Sequence, residues 1–343
     1  MSQWNVILAG GIGSRFWPVS TPAQPKQLLP LVSAQPMLAD TLRRMEPLAP
    51  MERTLVLTNA SLRESVTQMF PSLPAENVIA EPRPAGTCAA IAWASHVIAQ
   101  RGGRDAVMIC VHADWAISDE AGYRETLAAA ASIAEREHAL VTVGIVPDRP
   151  DPGFGYIQPG EVLQGDVRKV ARFVEKPDVA RARDMVRDGY LWNSGIFAWR
   201  VGDLLDELRQ LTPEVWPSLE QHGDDLAAFF GAVQSIAIDV GVLERSSKVL
   251  VIPGAFGWDD VGTWAALHRV REHDAQDNAA HGRVHALQAS GNVVHADGAA
   301  VVLYGVDNLV VVSTGAVTLV TTRDKASDLK TLLDSLPSDL RGS

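Results

Sequence analysis

Between Leu8 and Leu31 the chain reads LAGGIGSRFWPVSTPAQPKQLLPL, with Gly10, Gly11, Gly13, Arg15 and Lys26 and no acidic residue. Glycine amides with two cations suit a polyphosphate. No Gly-Lys-Ser/Thr follows, so this is not a Walker A loop. Counted from Gly11, Ser14-Arg15-Phe16 stands where a dinucleotide fingerprint needs its third glycine. Pro18, Pro22 and Pro25 work against a regular helix, which leaves a long loop after a strand. The plain alternative is a glycine turn with a solvated arginine.

Further along, CVHADWAI ends an apolar run on Asp114. A carboxylate at a strand's carboxyl end, next to a phosphate loop, suits a magnesium ligand. Its competing role is a helix cap, for which Ser118 and Asp119 are also available. RFVEKP carries Glu175 and Lys176. Strand alternation puts Phe173 and Glu175 on one face and Val174 and Lys176 on the other. Glu175 can hold sugar hydroxyls and Lys176 a phosphate, or the two form a surface ion pair. Asn193 in LWNSGIFAWR suits hydroxyl recognition beside aromatic rings, or is a turn residue. Asp259 and Asp260 in GAFGWDDVGTW offer a second metal carboxylate, or are ordinary loop residues. No Ser-His-Asp or Cys-His pair has a recognisable context. The set favours phosphoryl-type transfer, which needs positioning and charge neutralisation rather than a covalent nucleophile.

The 343 residues carry a net charge of −11, with 47% hydrophobic and 21% charged residues. That is an ordinary globular composition, long enough for a large domain plus a smaller one. No basic stripe is present, which argues against nucleic acid as a partner. No apolar run reaches the roughly 18 residues of a membrane span, and no basic region precedes the first strand, so no secretory signal is expected. Cys88 and Cys110 have no metal or redox spacing and read as buried thiols in a reducing cytoplasm.

Positioning these residues falls to alternating strands and helices. Residues 4–9, 54–59, 77–82, 106–114 and 140–147 read as strands. Residues 38–48, 61–70 (opened by a Ser61 cap), 87–101 and 123–138 read as helices. Short apolar runs joined by helical crossovers imply an α/β, Rossmann-like, mostly parallel sheet flanked by helices. Ligands then sit at the carboxyl ends of strands, where Gly10–Arg15, Glu81 and His112–Asp114 fall. After about Gln276 short β-branched runs broken by glycine predict a small β-rich unit, either a strand stack or a β-helix-like solenoid, closed by a helix over 325–336. His281, His285 and His295 lie there as surface or packing residues rather than a ligand set.

Taken together, LAGGIGSRFWPVSTPAQPKQLLPL, AEPRPAGTCAAIA, HADW, GFGYIQPG, RFVEKP, WNSGIFAWR and FGWDDVGTW resemble the sugar-1-phosphate nucleotidyltransferases, and within them the bacterial mannose-1-phosphate guanylyltransferases. The tail, GVDNLVVV to RDKASDLKTLL, is similar to that group's C-terminal unit. The resemblance implies a nucleotidyltransferase fold with a catalytic domain over 1–275 and a β-rich domain over 276–343. It implies GMP transfer from GTP to mannose 1-phosphate; another sugar 1-phosphate or NTP, or a non-catalytic nucleotide-sugar sensor, are the alternatives. It places Leu8, Gly10, Gly11, Gly13, Arg15, Lys26, Glu81 and Thr87 at the nucleotide, with Glu81 facing the guanine edge. Gly155, Glu175, Lys176 and Asn193 fall at the sugar phosphate, and Asp114 and Asp260 at Mg2+. Arg15, Lys26, Asp114 and Lys176 are the expected catalytic residues. A cytoplasmic enzyme is implied, a homodimer is allowed, and 343 residues leave no room for the isomerase domain of the long members. Two positions depart from the family pattern: Gly86-Thr87 replaces Asn-Thr, and Trp115 stands where histidine is common.

Overall fold

A computed structural model describes residues 2–11, 14–22, 24–337 and 340. The chain divides into two compact units. One holds Met1–Gly10, Arg43–His112 and Asp119–Phe256; the other holds Gly11–Leu42, Ala113–Ser118 and Gly257–Ser343.

The first unit is built on a sheet of β1 (Gln3–Ala9), β2 (Thr54–Asn59), β3 (Val78–Glu81) and β4 (Val107–His112). Past β5 (Ala116–Ile117), which belongs to the second unit, come β6 (Leu140–Ile145), β7 (Tyr156–Gln164), β8 (Val167–Val174), β9 (Leu191–Arg200) and β10 (Val249–Gly254). Their order is β3-β2-β1-β4-β9-β6-β10-β8-β7, with β7 also meeting β9. Strands β1, β2, β3, β4, β6, β7 and β10 share one direction, while β8 and β9 run against them. The sheet is therefore mostly parallel. Buried on both faces, its early strands are continuous apolar runs rather than alternating ones.

Helices α1 (Met37–Met45), α2 (Arg63–Met69), α3 (Gly86–Gly102) and α4 (Glu120–Glu137) follow the strands. Small alanines let α3 lie close to the sheet. Ala89, Ile91 and Ile98 join Val6, Leu8, Leu55, Leu57, Phe197 and Trp199 in one buried cluster. Each fully buried Leu or Phe there contributes about 1.5–3 kcal/mol. Asp119 caps α4 by accepting from the Gly122 N–H at 3.0 Å. Ser61 does not cap α2: residues Ala60–Leu62 form a single 3-10 turn first, and α2 opens without a side-chain cap.

The second unit packs Phe16, Leu29, Leu31, Trp264, Val293, Val310, Val312 and Leu329 into its own core. The indole N–H of Trp264 donates to the Trp17 carbonyl at 2.9 Å. Strand β11 (Trp258–Asp259) pairs with β5. From β12 (Ala279–His281) the chain coils through β13 (Val284–Leu287), β14 (Val293–Ala296), β15 (Val301–Tyr304), β16 (Leu309–Ser313) and β17 (Thr318–Thr322). Parallel stacks β12-β14-β16 and β13-β15 make a short β-helix, and β17 adds antiparallel to β16. Asn292 bridges successive turns of the coil, donating to Asn278 at 2.8 Å and accepting from the Leu309 N–H at 2.9 Å. His281 and His295 are register partners whose rings stack at 4.6 Å. The closing helix spans Leu329–Ser335.

Candidate functional site

Within the second unit, the described residues of the loop after β1 hold no regular helix. Ser14–Phe16 and Lys26–Leu28 are single 3-10 turns. Gly11 is exposed, and its carbonyl accepts from Gln27 at 2.9 Å. Gly13 lies outside the described residues. Arg15 is exposed and makes no hydrogen bond or ion pair to a described residue. Lys26 is the opposite case, 5% exposed. Its ammonium donates to Asp114 Oδ2 at 2.9 Å and to the Asp260 carbonyl at 2.7 Å. Two of its three N–H donors are thus used and one remains.

That ammonium brings Asp114 and Asp260 together. Asp114 is not a helix cap, because Asp119 has that role. Of the two neighbouring aspartates, Asp259 is committed: Arg269 donates to both its oxygens, at 2.7 and 3.1 Å, and Val261 N–H to Oδ1 at 2.8 Å. The Asp260 carboxylate accepts only a 3.2 Å bond from Gly262 N–H among the described residues. Burial, and secondarily the Asp259 charge, raise its carboxyl above the usual range, against the pull of Lys26 and Arg269. Two half-buried carboxylates, one of them bonded only weakly, are an all-oxygen set that fits a hard divalent ion. Trp115 is buried, edge-on to Trp258 at 5.8 Å.

Within the first unit, Leu8 is buried in β1 between β2 and β4. Gly10, Asn59 and Glu81 sit together at the carboxyl ends of adjacent strands. A Cβ on Gly10 would lie 3.5 Å from Glu81 Oε1 and 3.9 Å from Asn59 Oδ1. Burial pushes Glu81 up to about 7. Thr87 is turned to structure: its hydroxyl accepts from Ile238 N–H at 2.9 Å. Gly86 has φ +80, and a Cβ there would meet the Ile236 carbonyl oxygen at 2.3 Å. The Gly86-Thr87 departure therefore clamps the 236–238 segment against the start of α3.

That clamped segment leads into a π-helical turn, Asp239–Leu243. Asn193, on β9, donates through Nδ2 to Asp239 Oδ1 at 2.7 Å. The carboxylate can only accept, so it fixes the amide's orientation. Asn193 Oδ1 is left buried with no hydrogen-bond partner among the described residues. The Asn193 N–H donates to the Gly155 carbonyl at 2.8 Å, and a Cβ on Gly155 would lie 3.0 Å from Glu175 Oε2. Gly155, Glu175 and Asn193 thus converge. The expected strand alternation does not reach Glu175 and Lys176, because β8 ends at Val174 and Lys176 has φ +35. The two form an exposed ion pair at 2.6 Å. Burial, then the charges of Asp239 and Glu175, raise Glu244.

Two residues at these clusters escaped the sequence reading, Asn59 and Asp239. Asn59 ends a strand just as Glu81 does, so strand-end position was the available signal. Asp239 is an acid inside the apolar stretch IAIDVGVL, and only its partner 46 residues away reveals it.

Comparison with known proteins gives the family. The family profile described as nucleotidyl transferase matches residues 4–277, and one described as MannoseP isomerase/GMP-like beta-helix domain matches 282–336. A mannose-1-phosphate guanylyltransferase of Salmonella muenchen is 36% identical over 351 residues, spanning 98% of this chain and 74% of that protein. One from Escherichia coli strain K12 is 35% identical with the same coverage of each. A crystal structure from Thermus thermophilus, described as a mannose-1-phosphate geranyltransferase, has a TM-score of 0.89 at 34% identity, covering 97% of this chain and 99% of that one. The chain belongs to the nucleotidyl transferase family and, within it, to the mannose-1-phosphate guanylyltransferases.

Proposed function

We propose that the protein transfers GMP from GTP to mannose 1-phosphate and so makes GDP-mannose in the cytoplasm, with residues 1–275 as the catalytic domain and 276–343 as the β-helical one. The observation that carries this reading is the buried Lys26 ammonium joined to Asp114 and to the Asp260 carbonyl, at the foot of a glycine- and arginine-bearing loop. A sugar-phosphate oxygen attacks the α-phosphorus of GTP in line. The bond from that phosphorus to the α,β-bridging oxygen breaks, and pyrophosphate leaves with the electron pair. A phosphate monoester has its second pKa near 6 and is mostly dianionic at neutral pH, so no general base is required.

Each residue then has a positional task. Arg15, through its planar fork, and Lys26, as a point charge, hold the nucleotide's phosphates. Leu8, Gly10, Gly11 and Gly13 let the backbone approach the nucleoside. Glu81 accepts from guanine N1–H and the 2-amino group, and Thr87 supports the base pocket. Lys176, released from Glu175, takes the sugar phosphate. Gly155, Glu175 and Asn193 meet sugar hydroxyls, with the unpaired Asn193 Oδ1 accepting one hydroxyl proton. Asp114 and Asp260 hold Mg2+, which supplies charge neutralisation to the triphosphate when bound. The test is pyrophosphate release from GTP. It should depend on mannose 1-phosphate and be abolished in Asp114→Ala with the far-ultraviolet spectrum unchanged. Near-normal turnover in that variant contradicts the assignment.

A further inference from the structure

We propose that His268, His273 and Asp277 form a site for one first-row divalent ion of the zinc type, distinct from the Asp114–Asp260 carboxylates. The residues come from three places in the second unit: the short helix Leu267–Val270, the loop after it, and the left-handed turn at Asp277 (φ +63) just before β12. Their ligand atoms all lie within 4.8 Å of one another. The Asp277 carboxylate faces both rings, with Oδ1 2.9 Å from His273 Nδ1 and Oδ2 3.1 Å from His268 Nε2.

The hydrogen bonding at His273 points to a cation. Its Nε2 donates to the His268 backbone carbonyl, which fixes that nitrogen as the protonated one. In the neutral ring Nδ1 then carries a lone pair aimed at a carboxylate oxygen, itself only an acceptor. A proton or a metal ion can bridge two acceptors at 2.9 Å; the second imidazole on the same carboxylate, at 3.1 Å, is what singles out a metal ion. An imidazole whose other N–H is tied to a backbone carbonyl is the usual arrangement of a metal-binding histidine. His268 Nε2 also lies 2.9 Å from the Asp277 carbonyl; bound metal replaces the proton it shares there.

Two imidazole nitrogens and one carboxylate suit zinc and its neighbours rather than magnesium. Ligands of one tetrahedral zinc are about 3.4 Å apart, so closure takes side-chain shifts of about an ångström. His268, with 11% of its side chain exposed, is the fixed ligand; His273 at 32% and Asp277 at 59% have room to move. The exposed side leaves a fourth position for water. Asp274 is not a competing ligand, because Asn278 and Gln276 N–H groups already bond it. The bound ion clips the 267–270 helix to the turn from which the β-helix begins.

The test titrates metal-free full-length protein with Zn2+ while millimolar Mg2+ occupies the oxygen ligands. One Zn2+ per chain is expected. His273→Ala and Asp277→Asn should each weaken binding at least tenfold, and His285→Ala, a surface histidine outside the cluster, should not. Cobalt in place of zinc should give the intense visible bands of a low-coordinate site. Should a variant misfold, 15N imidazole spectra of the wild type decide: Zn2+ must shift His273 Nδ1 and His268 Nε2. No zinc retained, equal retention in both ligand variants, or unmoved imidazole nitrogens overturns the proposal.

Discussion

Replacing Asp239 isolates the orientation of one amide. In the native protein the Asp239 carboxylate accepts from Asn193 Nδ2 at 2.7 Å, leaving Asn193 Oδ1 unpaired and buried. In Asp239→Ala nothing fixes the amide, so it turns or pairs elsewhere and the oxygen no longer waits for a hydroxyl. The lost hydroxyl-to-amide bond joins two neutral groups and is worth about 0.5–1.5 kcal/mol. At about 1.4 kcal/mol per tenfold, that is roughly a 2- to 10-fold rise in KM for mannose 1-phosphate. Asp239→Asn keeps an acceptor but permits both amide orientations, so its KM should fall between wild type and alanine. Initial rates of pyrophosphate release, with each substrate varied at saturating partner, measure both constants. The KM for GTP should stay within about twofold, since only the sugar's hydroxyl contact is lost by the argument above. An unchanged mannose 1-phosphate KM, or both constants rising together with a collapsed Tm, refutes the reasoning.

Glu81 and Gly86 give two further tests. Burial raises Glu81 from 4.5 to about 7, so the folded state holds this proton more tightly than the unfolded chain. Its stabilising contribution is complete below about 4.5 and is lost as pH rises to about 7. Wild type should therefore lose urea stability relative to Glu81→Gln over that window. Guanine donors favour the ionised carboxylate, so the KM for GTP should fall as pH rises through about 7 in wild type; the same slope in Glu81→Gln contradicts the base-reading role. Gly86→Ala puts a methyl 2.3 Å from the Ile236 carbonyl oxygen at φ +80. It should cost at least about 2 kcal/mol by urea denaturation, and an unmoved midpoint argues against the clamp.

The parallel sheet was legible because its first four strands are apolar runs ending at glycine or a polar residue, with helical periodicity in the segments between them. The loop after β1 was legible for a local reason as well: prolines disfavour a helix, and its described residues form single turns. What escaped is tertiary. Nothing local distinguishes Asp259 from Asp260; Arg269 does so by engaging one of them. Asn193 and Asp239 sit 46 residues apart and meet only because Thr87 and Gly86 clamp the intervening chain. Alternation was extended two residues too far at Glu175 and Lys176, where a positive φ ends the strand geometry. Ser61 looked like a cap because serine before a helical run commonly is one, yet a 3-10 turn takes up that step. His281 and His295 stack through strand register, which no local pattern reveals.

Product formation across a panel of substrates reads the specificity of the nucleotidyl transfer directly. The enzyme with Mg2+ is given GTP, ATP, UTP or dTTP with mannose 1-phosphate or glucose 1-phosphate, and 31P spectra follow the products. GDP-mannose and pyrophosphate should form in equal amounts, with GTP and mannose 1-phosphate the fastest pair. Faster turnover with ATP or UTP, or with glucose 1-phosphate, contradicts this specificity.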